Sequence, residues 1–179
     1  LPPLPLFTLA QVAGSWSEAH TRFFADGGFF TANRRGRFVA VTAPSETNAA
    51  VDPAFPLRLN TGRIRDQWHT MTRSGKASRL AQHIAEPYVE VHPDDAKRFG
   101  VTEAGLARVR SAHGEAVLRV VANPGQRQGS IFVPIHWSAE NSSNGRIGAL
   151  VHGVTDPISG QPDSKATPCD LTPAAFAFE

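Results

Sequence analysis

Apolar residues in this chain never form a long run. They cluster in short stretches of alternating or compact pattern, each closed by Gly, Pro, Asn or Asp. Leu57-Arg58-Leu59 ends in the polar turn Asn60-Thr61-Gly62. Tyr88 to Val91 ends at His92-Pro93. Ala107 to Ser111 and Glu115 to Val121 alternate with period two around Ala112-His113-Gly114, the pattern of a hairpin. Ile131-Phe132-Val133 lies between Gly129 and Pro134, and Ala149-Leu150-Val151 reads as a last short strand before the turn at Asp156-Pro157. The one clear helix is short: Pro93 suits a first helical position, Asp94 and Asp95 suit the positive end of the helix dipole, and Gly100 ends it. Long amphipathic helices and a helix-flanked parallel sheet are thereby excluded. The expected class is mainly β with short helices, closed as a barrel.

Composition narrows the chemistry. With 41% hydrophobic and 19% charged residues, the 179-residue chain can build an ordinary core. Its single cysteine, Cys169, excludes an internal disulfide, a cysteine-rich zinc site and an iron–sulfur cluster held by this chain alone. No apolar run approaches the roughly 20 residues that span a bilayer. The proline-rich start at Leu1, without methionine or a signal-peptide pattern, reads as a piece of something longer.

Two regions differ in character. Residues 1–54 read as an arm and linker: prolines 2, 3 and 5, a small β-hairpin suggested by aromatic runs around Asp26-Gly27-Gly28, a second turn at Asn33 to Gly36 before the strand-like Arg37 to Val41, and an Ala/Pro/Ser/Thr-rich stretch to Pro56. The barrel domain is expected over 55–179. Phe23, Phe24, Phe29 and Phe30 give the arm an apolar patch that invites self-association.

Net charge is only +2, but it is unevenly spread. From Arg58 to Arg79 there are six basic residues and one acid, net +5, so the other residues, with 12 basic and 15 acidic, carry −3. Such a window is either an anion-binding segment or a solvated basic loop. Its residues suit a phosphate-linked heterocycle. Thr61-Gly62 ends a strand in a turn with exposed backbone N–H groups; Arg63 and Arg65 are planar forks for phosphate oxygens; Trp68 and His69 supply flat faces; Thr70, Thr72 and Ser74 add hydroxyls. No Gly-Lys-Ser/Thr phosphate loop and no GxGxxG follows a strand, so nucleotide folds of those types are excluded. Nucleic acid is not expected, because aromatics are few and the charge is small.

A second segment, Ile131 to Arg146, carries His136 and Trp137 out of an apolar strand. Either the pair lines a pocket, or Trp137 caps the core and His136 faces water; residue type alone leaves both open. A third, Asp156 to Lys165, is a turn-rich loop ending in a lysine within reach of an anion. Seven scattered histidines show no metal-ligand spacing, and no GxSxG elbow occurs.

In order, LNTGRIRDQWHTMTRSGK, YVEVHPDDAKRFGV and GSIFVPIHW followed by DPISGQP resemble the C-terminal molybdopterin-dinucleotide-binding domain of the dimethyl-sulfoxide-reductase superfamily, in its assimilatory nitrate reductase branch. The upstream RFFADGGFFTANRRGRFVAV resembles the segment preceding that domain, so the likeness spans about Arg22 to Pro168. It implies a six-stranded double-psi β-barrel within a longer enzyme, holding part of a bis(molybdopterin guanine dinucleotide) molybdenum cofactor. Its cofactor contacts fall on Thr61, Gly62, Arg63, Trp68, His69, Thr70 and Lys165, with His136 and Trp137 beside the substrate channel. Relatives place a cofactor asparagine where this chain has Gly148, and Asn144 is taken as its replacement. No residue here is expected to be catalytic or to bind metal; the molybdenum ligand and any iron–sulfur cluster belong to upstream domains. The implied parent is cytoplasmic, reduces nitrate to nitrite, and contacts this domain through its preceding domains and a redox partner. The same resemblance leaves formate dehydrogenase and periplasmic nitrate reductase as alternatives, and a free-standing nucleotide-binding barrel as another.

Overall fold

A computed structural model of the chain describes residues 24–38, 40, 50–157 and 159–174. They group into two units, one within 1–45 and one within 46–179.

The second unit is a closed barrel of six strands: β1 (Leu57–Gly62), β2 (Tyr88–Val91), β3 (Leu106–Ser111), β4 (Glu115–Ala122), β5 (Ser130–Pro134) and β6 (Lys165–Pro173). Around the barrel they lie in the order β1-β5-β2-β4-β3-β6, and the ring closes through β1 and β6. β1–β5 and β2–β4 are parallel; the other four neighbours are antiparallel. Exchanging β1 with β4, β2 with β5 and β3 with β6 reproduces the same ring and the same parallel and antiparallel pairs. The barrel is therefore two copies of one three-strand path related by an internal twofold, the double-psi arrangement.

Alternation fills the interior. Leu57, Leu59, Val89, Val91, Val109, Leu118, Val120, Ile131, Val133 and Leu171 point inward and are fully buried or nearly so. Each such side chain contributes about 1.5–3 kcal/mol relative to exposure. Small residues Ala107, Ala116 and Cys169 complete the packing. Between β2 and β3, helix α2 (Pro93–Phe99) follows the single-turn helix α1 (Ser78–Ala81) in the chain. α2 has Pro93 in its first turn and ends at Gly100, at φ 70°, as its sequence predicts; the structure adds a cap, His92 Nδ1 accepting from the Asp94 N–H at 3.1 Å. Buried Asp95 accepts from the Gly129 N–H at 2.7 Å, tying α2 to the residue before β5.

Three expectations are corrected. β1 does not stop at Leu59. It pairs with β5 as far as Gly62 against Pro134, because Thr61 takes the next inward position and is buried. Ala149 to Val151 is not a strand: Ile147–Ala149 is a 3-10 turn that buries both Ile147 and Leu150, whose three-residue spacing suits one helical face and not one strand face. The arm's expected hairpin is absent among its described residues, 24–38 and 40; Phe23, Val39 and Val41 lie outside them. There, side chains hold a series of turns instead. Asp26 accepts the Gly28 N–H at 2.9 Å and pairs with Arg34, Thr31 Oγ1 donates to the Arg35 carbonyl at 2.7 Å, and Phe24 stacks on Phe29 at 4.7 Å. Such local bonds compete with a strand ladder.

One strand has no counterpart in the sequence reading. β6 carries Pro168 and Pro173, which disguise it, yet Thr167, Cys169 and Leu171 alternate inward. Its register against β1 jumps between Thr167 and Lys165, leaving Ala166 as an extra residue at φ 58°. This β-bulge turns Lys165 toward the end of β1.

Candidate functional site

Strand directions decide where the singled-out residues go. β1, β3 and β5 run one way and β2, β4 and β6 the other. One end of the barrel therefore receives the segments after β1 and β5, the β3–β4 hairpin, and the chain entering β6. Those segments hold Arg63 to Arg79, Ile135 to Gly145 and His152 to Lys165, so all three segments picked out by sequence meet at a single rim.

At the base of the rim, Thr61, Gly62 and Lys165 are brought together. The Thr61 hydroxyl, buried, donates to the Ser164 carbonyl at 2.7 Å, while Lys165 Nζ donates to the Thr61 carbonyl. Thr61 thus spends its side chain on joining β1 to the entry of β6. Gly62 is bare for a packing reason: a Cβ there would lie 2.7 Å from the Phe132 ring of β5. The ladder of β1 with β5 is extended by the Ile135 N–H, which donates to the Gly62 carbonyl at 2.9 Å.

Beyond Gly62 the chain folds over an internal plug of its own. Gln67, Met71 and Ser74 are buried, the Ser74 hydroxyl donates to Gln67 Oε1, and the Gly75 N–H donates to the Met71 carbonyl at 2.8 Å. Ser74 accordingly faces inward. Residues His69 and Met71 sit in the left-handed region, at φ 43° and 60°. Each such non-glycine conformation costs about 1–3 kcal/mol and persists only where surrounding contacts impose it. The result is a loop that presents Arg63, Trp68, His69 and Thr70 to solvent. Trp68 is 55% exposed, the Arg63 guanidinium carbon lies 5.9 Å from its ring centre, and the His69 ring meets it edge-on at 4.5 Å.

The loop's charge is largely uncompensated. Arg65 pairs with Asp66 at 3.0 Å, and His83 reaches the same carboxylate, also at 3.0 Å. The hydrogen bond from Arg65 holds the Asp66 carboxyl below its ordinary range. Among the described residues, no carboxylate pairs with Arg63, Arg73, Lys76 or Arg79. The exposed Arg63 fork beside the Trp68 ring, on a loop carrying further cations, suits phosphate oxygens joined to a heterocycle.

His136 and Trp137 are both buried, at 0% and 2% exposure. Neither open alternative holds for the histidine: it faces neither water nor an open pocket. Its Nε2 accepts from the Ile64 N–H at 3.0 Å and its Nδ1–H donates to the His69 carbonyl at 2.5 Å. Trp137 Nε1 has no hydrogen-bond partner among the described residues. Asn144 is exposed at the same rim, where its carbonyl accepts from the Val117 N–H at 2.9 Å; no hydrogen bond joins its side chain to the 61–70 segment. The asparagine beside that loop is Asn141, whose Oδ1 would lie 3.2 Å from a Cβ on Gly75. Sequence reasoning passed over Asn141, Gln67 and Met71, because nothing local distinguishes a loop residue that plugs from one that is solvated.

Fold and rim together define a six-stranded barrel module whose strands serve as scaffold and whose one end carries an exposed loop with unpaired cations and aromatic rings. Comparison with known proteins places it further. Residues 57–168 match the family model described as "Molydopterin dinucleotide binding domain", and the chain belongs to that family. It is 56% identical over 159 residues to a nitrate reductase of Klebsiella oxytoca, covering 89% of this chain and 17% of that protein. It is 29% identical over 119 residues to the assimilatory nitrate reductase catalytic subunit of Bacillus subtilis (strain 168), covering 66% and 16%. Among solved structures, the acetylene hydratase of Pelobacter acetylenicus superposes with a TM-score of 0.58 at 17% identity, over 67% of this chain and 18% of that one, which shows the shared fold. The chain thus spans about a sixth of the length of these curated relatives.

Proposed function

We propose that this chain is the dinucleotide-holding domain of a nitrate reductase-type molybdenum enzyme. The observation that carries the reading is the loop after β1, which displays Arg63 beside the exposed ring of Trp68, with no carboxylate among the described residues paired to it. The donor set fits a molybdopterin guanine dinucleotide: cations for its pyrophosphate, flat faces for its ring systems, and a buried Trp137 Nε1–H at the same rim that has no partner among the described residues. When bound, the group supplies two-electron oxygen-atom chemistry at molybdenum, with nitrate reduced to nitrite.

This chain's residues bind and orient. Arg63 neutralises phosphate, Trp68 and His69 give a ring a face to lie on, and Thr70 offers a hydroxyl. Lys165, turned by the Ala166 bulge, places its ammonium at the Thr61 carbonyl near the end of β1. None of these side chains moves a proton in the reaction. Resemblance to nitrate reductases supports the substrate, and a cytoplasmic assimilatory parent, a redox partner and self-association through the arm's phenylalanines belong to the same proposal.

Titrating the isotopically labelled chain with guanosine monophosphate tests it. Amides of 61–70 and Lys165 shift saturably, and Arg63→Ala weakens binding about tenfold or more. A well-dispersed spectrum in which those amides stay still at about 10 mM nucleotide, where even a Kd of about 1 mM would saturate, overturns the reading. In the full-length protein, nitrate-dependent oxidation of a reduced dye checks the substrate against formate.

A further inference from the structure

His136 is fully buried, yet it touches no side-chain partner through hydrogen bonds. Both ring nitrogens are taken by backbone groups of one neighbouring segment: Nε2 by the Ile64 N–H at 3.0 Å and Nδ1 by the His69 carbonyl at 2.5 Å. These two groups bracket the stretch that carries the exposed Arg65, Asp66 and Trp68. The ring's protonation state follows from its partners. A backbone N–H can only donate, so Nε2 must carry a lone pair; a carbonyl can only accept, so Nδ1 must carry the hydrogen. The imidazole is neutral, in the Nδ1–H tautomer. A second proton, on Nε2, would set an N–H against the Ile64 N–H and break the bracket.

We propose that His136 is a positioning residue, a neutral imidazole clamp that holds the 64–69 segment in its strained, ligand-presenting conformation and releases it on protonation. The proposal deepens the dinucleotide-binding reading and rests on it for what the loop presents. Two observations favour it over a core-filling role. The clamp spans β5's exit and the loop after β1, beside the Ile135–Gly62 backbone bond that already joins the two. Its acceptor, the His69 carbonyl, belongs to a residue at φ 43°, a conformation that needs an external restraint.

Burial pushes the His136 ring below the ordinary imidazole value, despite the bond to His69, which opposes the shift. The charged and titratable groups acting on it are His69, at the end of the clamped segment, and Arg63, just before its start; both disfavour a positive charge on the ring, and no carboxylate is among them. The sign follows. The unfolded or released ring takes its proton near the ordinary value of about 6.5, the clamped ring lower, so the clamp is at full strength above that value and weakens as pH falls below it.

Two measurements on the full chain test this. Long-range nitrogen–proton spectra of the His136 ring should show a protonated Nδ1 and a bare Nε2 at neutral pH. Amide exchange should show Ile64 protected at neutral pH and losing protection on the acid side, in step with the ring's titration. In His136→Phe, which keeps a ring but no nitrogens, the Ile64 and Gln67 amides, which donate in this segment, should exchange about tenfold faster or more, while Val109 and Leu118 in the barrel stay unchanged. A ring protonated at Nε2, or Ile64 protection indifferent to pH while the ring titrates, overturns the proposal. If His136→Phe fails to fold, the ring spectrum and acid profile of the unaltered chain still decide. Failure of guanosine monophosphate to bind while Ile64 protection follows His136 would sink the dinucleotide reading and leave the clamp standing.

Discussion

Replacing Thr61 with valine separates a structural hydroxyl from a ligand-binding one. Its Oγ1 is buried at 1% exposure and donates to the Ser164 carbonyl at 2.7 Å, across 103 residues of sequence. Valine matches threonine in shape, so the substitution removes the bond without leaving a hole. A hydrogen bond contributes about 0.5–1.5 kcal/mol net, and stranding a buried acceptor costs about 1–3 kcal/mol. Ser164 is only half-buried, so water recovers part of that cost and the methyl group gains a little from burial. The expected loss is about 1–2 kcal/mol. At this chain length that lowers Tm by about 2–8 °C. Urea unfolding followed by circular dichroism measures it, provided the slope with denaturant is unchanged, and Thr61→Ser, which keeps the hydroxyl, should lose less. A Thr61→Val protein within about 0.3 kcal/mol of the original would refute the reasoning. The hydroxyl would then be no tie between β1 and the entry of β6, and would be free to serve a ligand.

Two further predictions concern the barrel. Cys169 is fully buried on β6, and burial pushes its thiol up to about 12, so a maleimide should leave the native chain unlabelled near pH 8 and label it fully in denaturant; native labelling at the denatured rate would remove β6 from the wall. Asp95→Ala deletes a buried charge-assisted bond to the Gly129 N–H and should cost about 1.5–3 kcal/mol in the same urea experiment, whereas a loss below about 0.5 kcal/mol would show that α2 is not tied to β5 through it.

Much of the barrel was legible because its strands are short and amphipathic. Ala107 to Ser111 and Glu115 to Val121 announced a hairpin through alternation alone, and α2 was signalled at both ends by Pro93 and Gly100. β6 was hidden by its prolines, since a missing N–H argues against a strand, yet Pro168 and Pro173 take regular positions opposite Arg58 and Ala107. Ala149 to Val151 reads as a strand because a short apolar run has no period of its own; tertiary burial of Ile147 and Leu150 chooses a helical turn. For the candidate site, the window from Thr61 to Arg79 was marked by charge and residue type. Which of its polar groups turn inward was not marked: Thr61 and Ser74 look in sequence like Thr70 and Thr72, yet the first two are buried and the last two exposed.

What the sequence determined by itself was therefore local and chemical: short strands by period, one capped helix by its end residues, a cation-rich, ring-bearing segment by composition, and a family likeness by its motifs. Only the tertiary structure decided assembly. Closing the ring in the order β1-β5-β2-β4-β3-β6 brings three segments distant in sequence to one rim. It also sets His136 between the Ile64 N–H and the His69 carbonyl, 72 and 67 residues away along the chain. Period and composition report how a residue relates to its immediate neighbours. Strand pairing and buried hydrogen bonds join residues with no such relation, and here they select which polar groups tie the loop down and which remain free for a ligand.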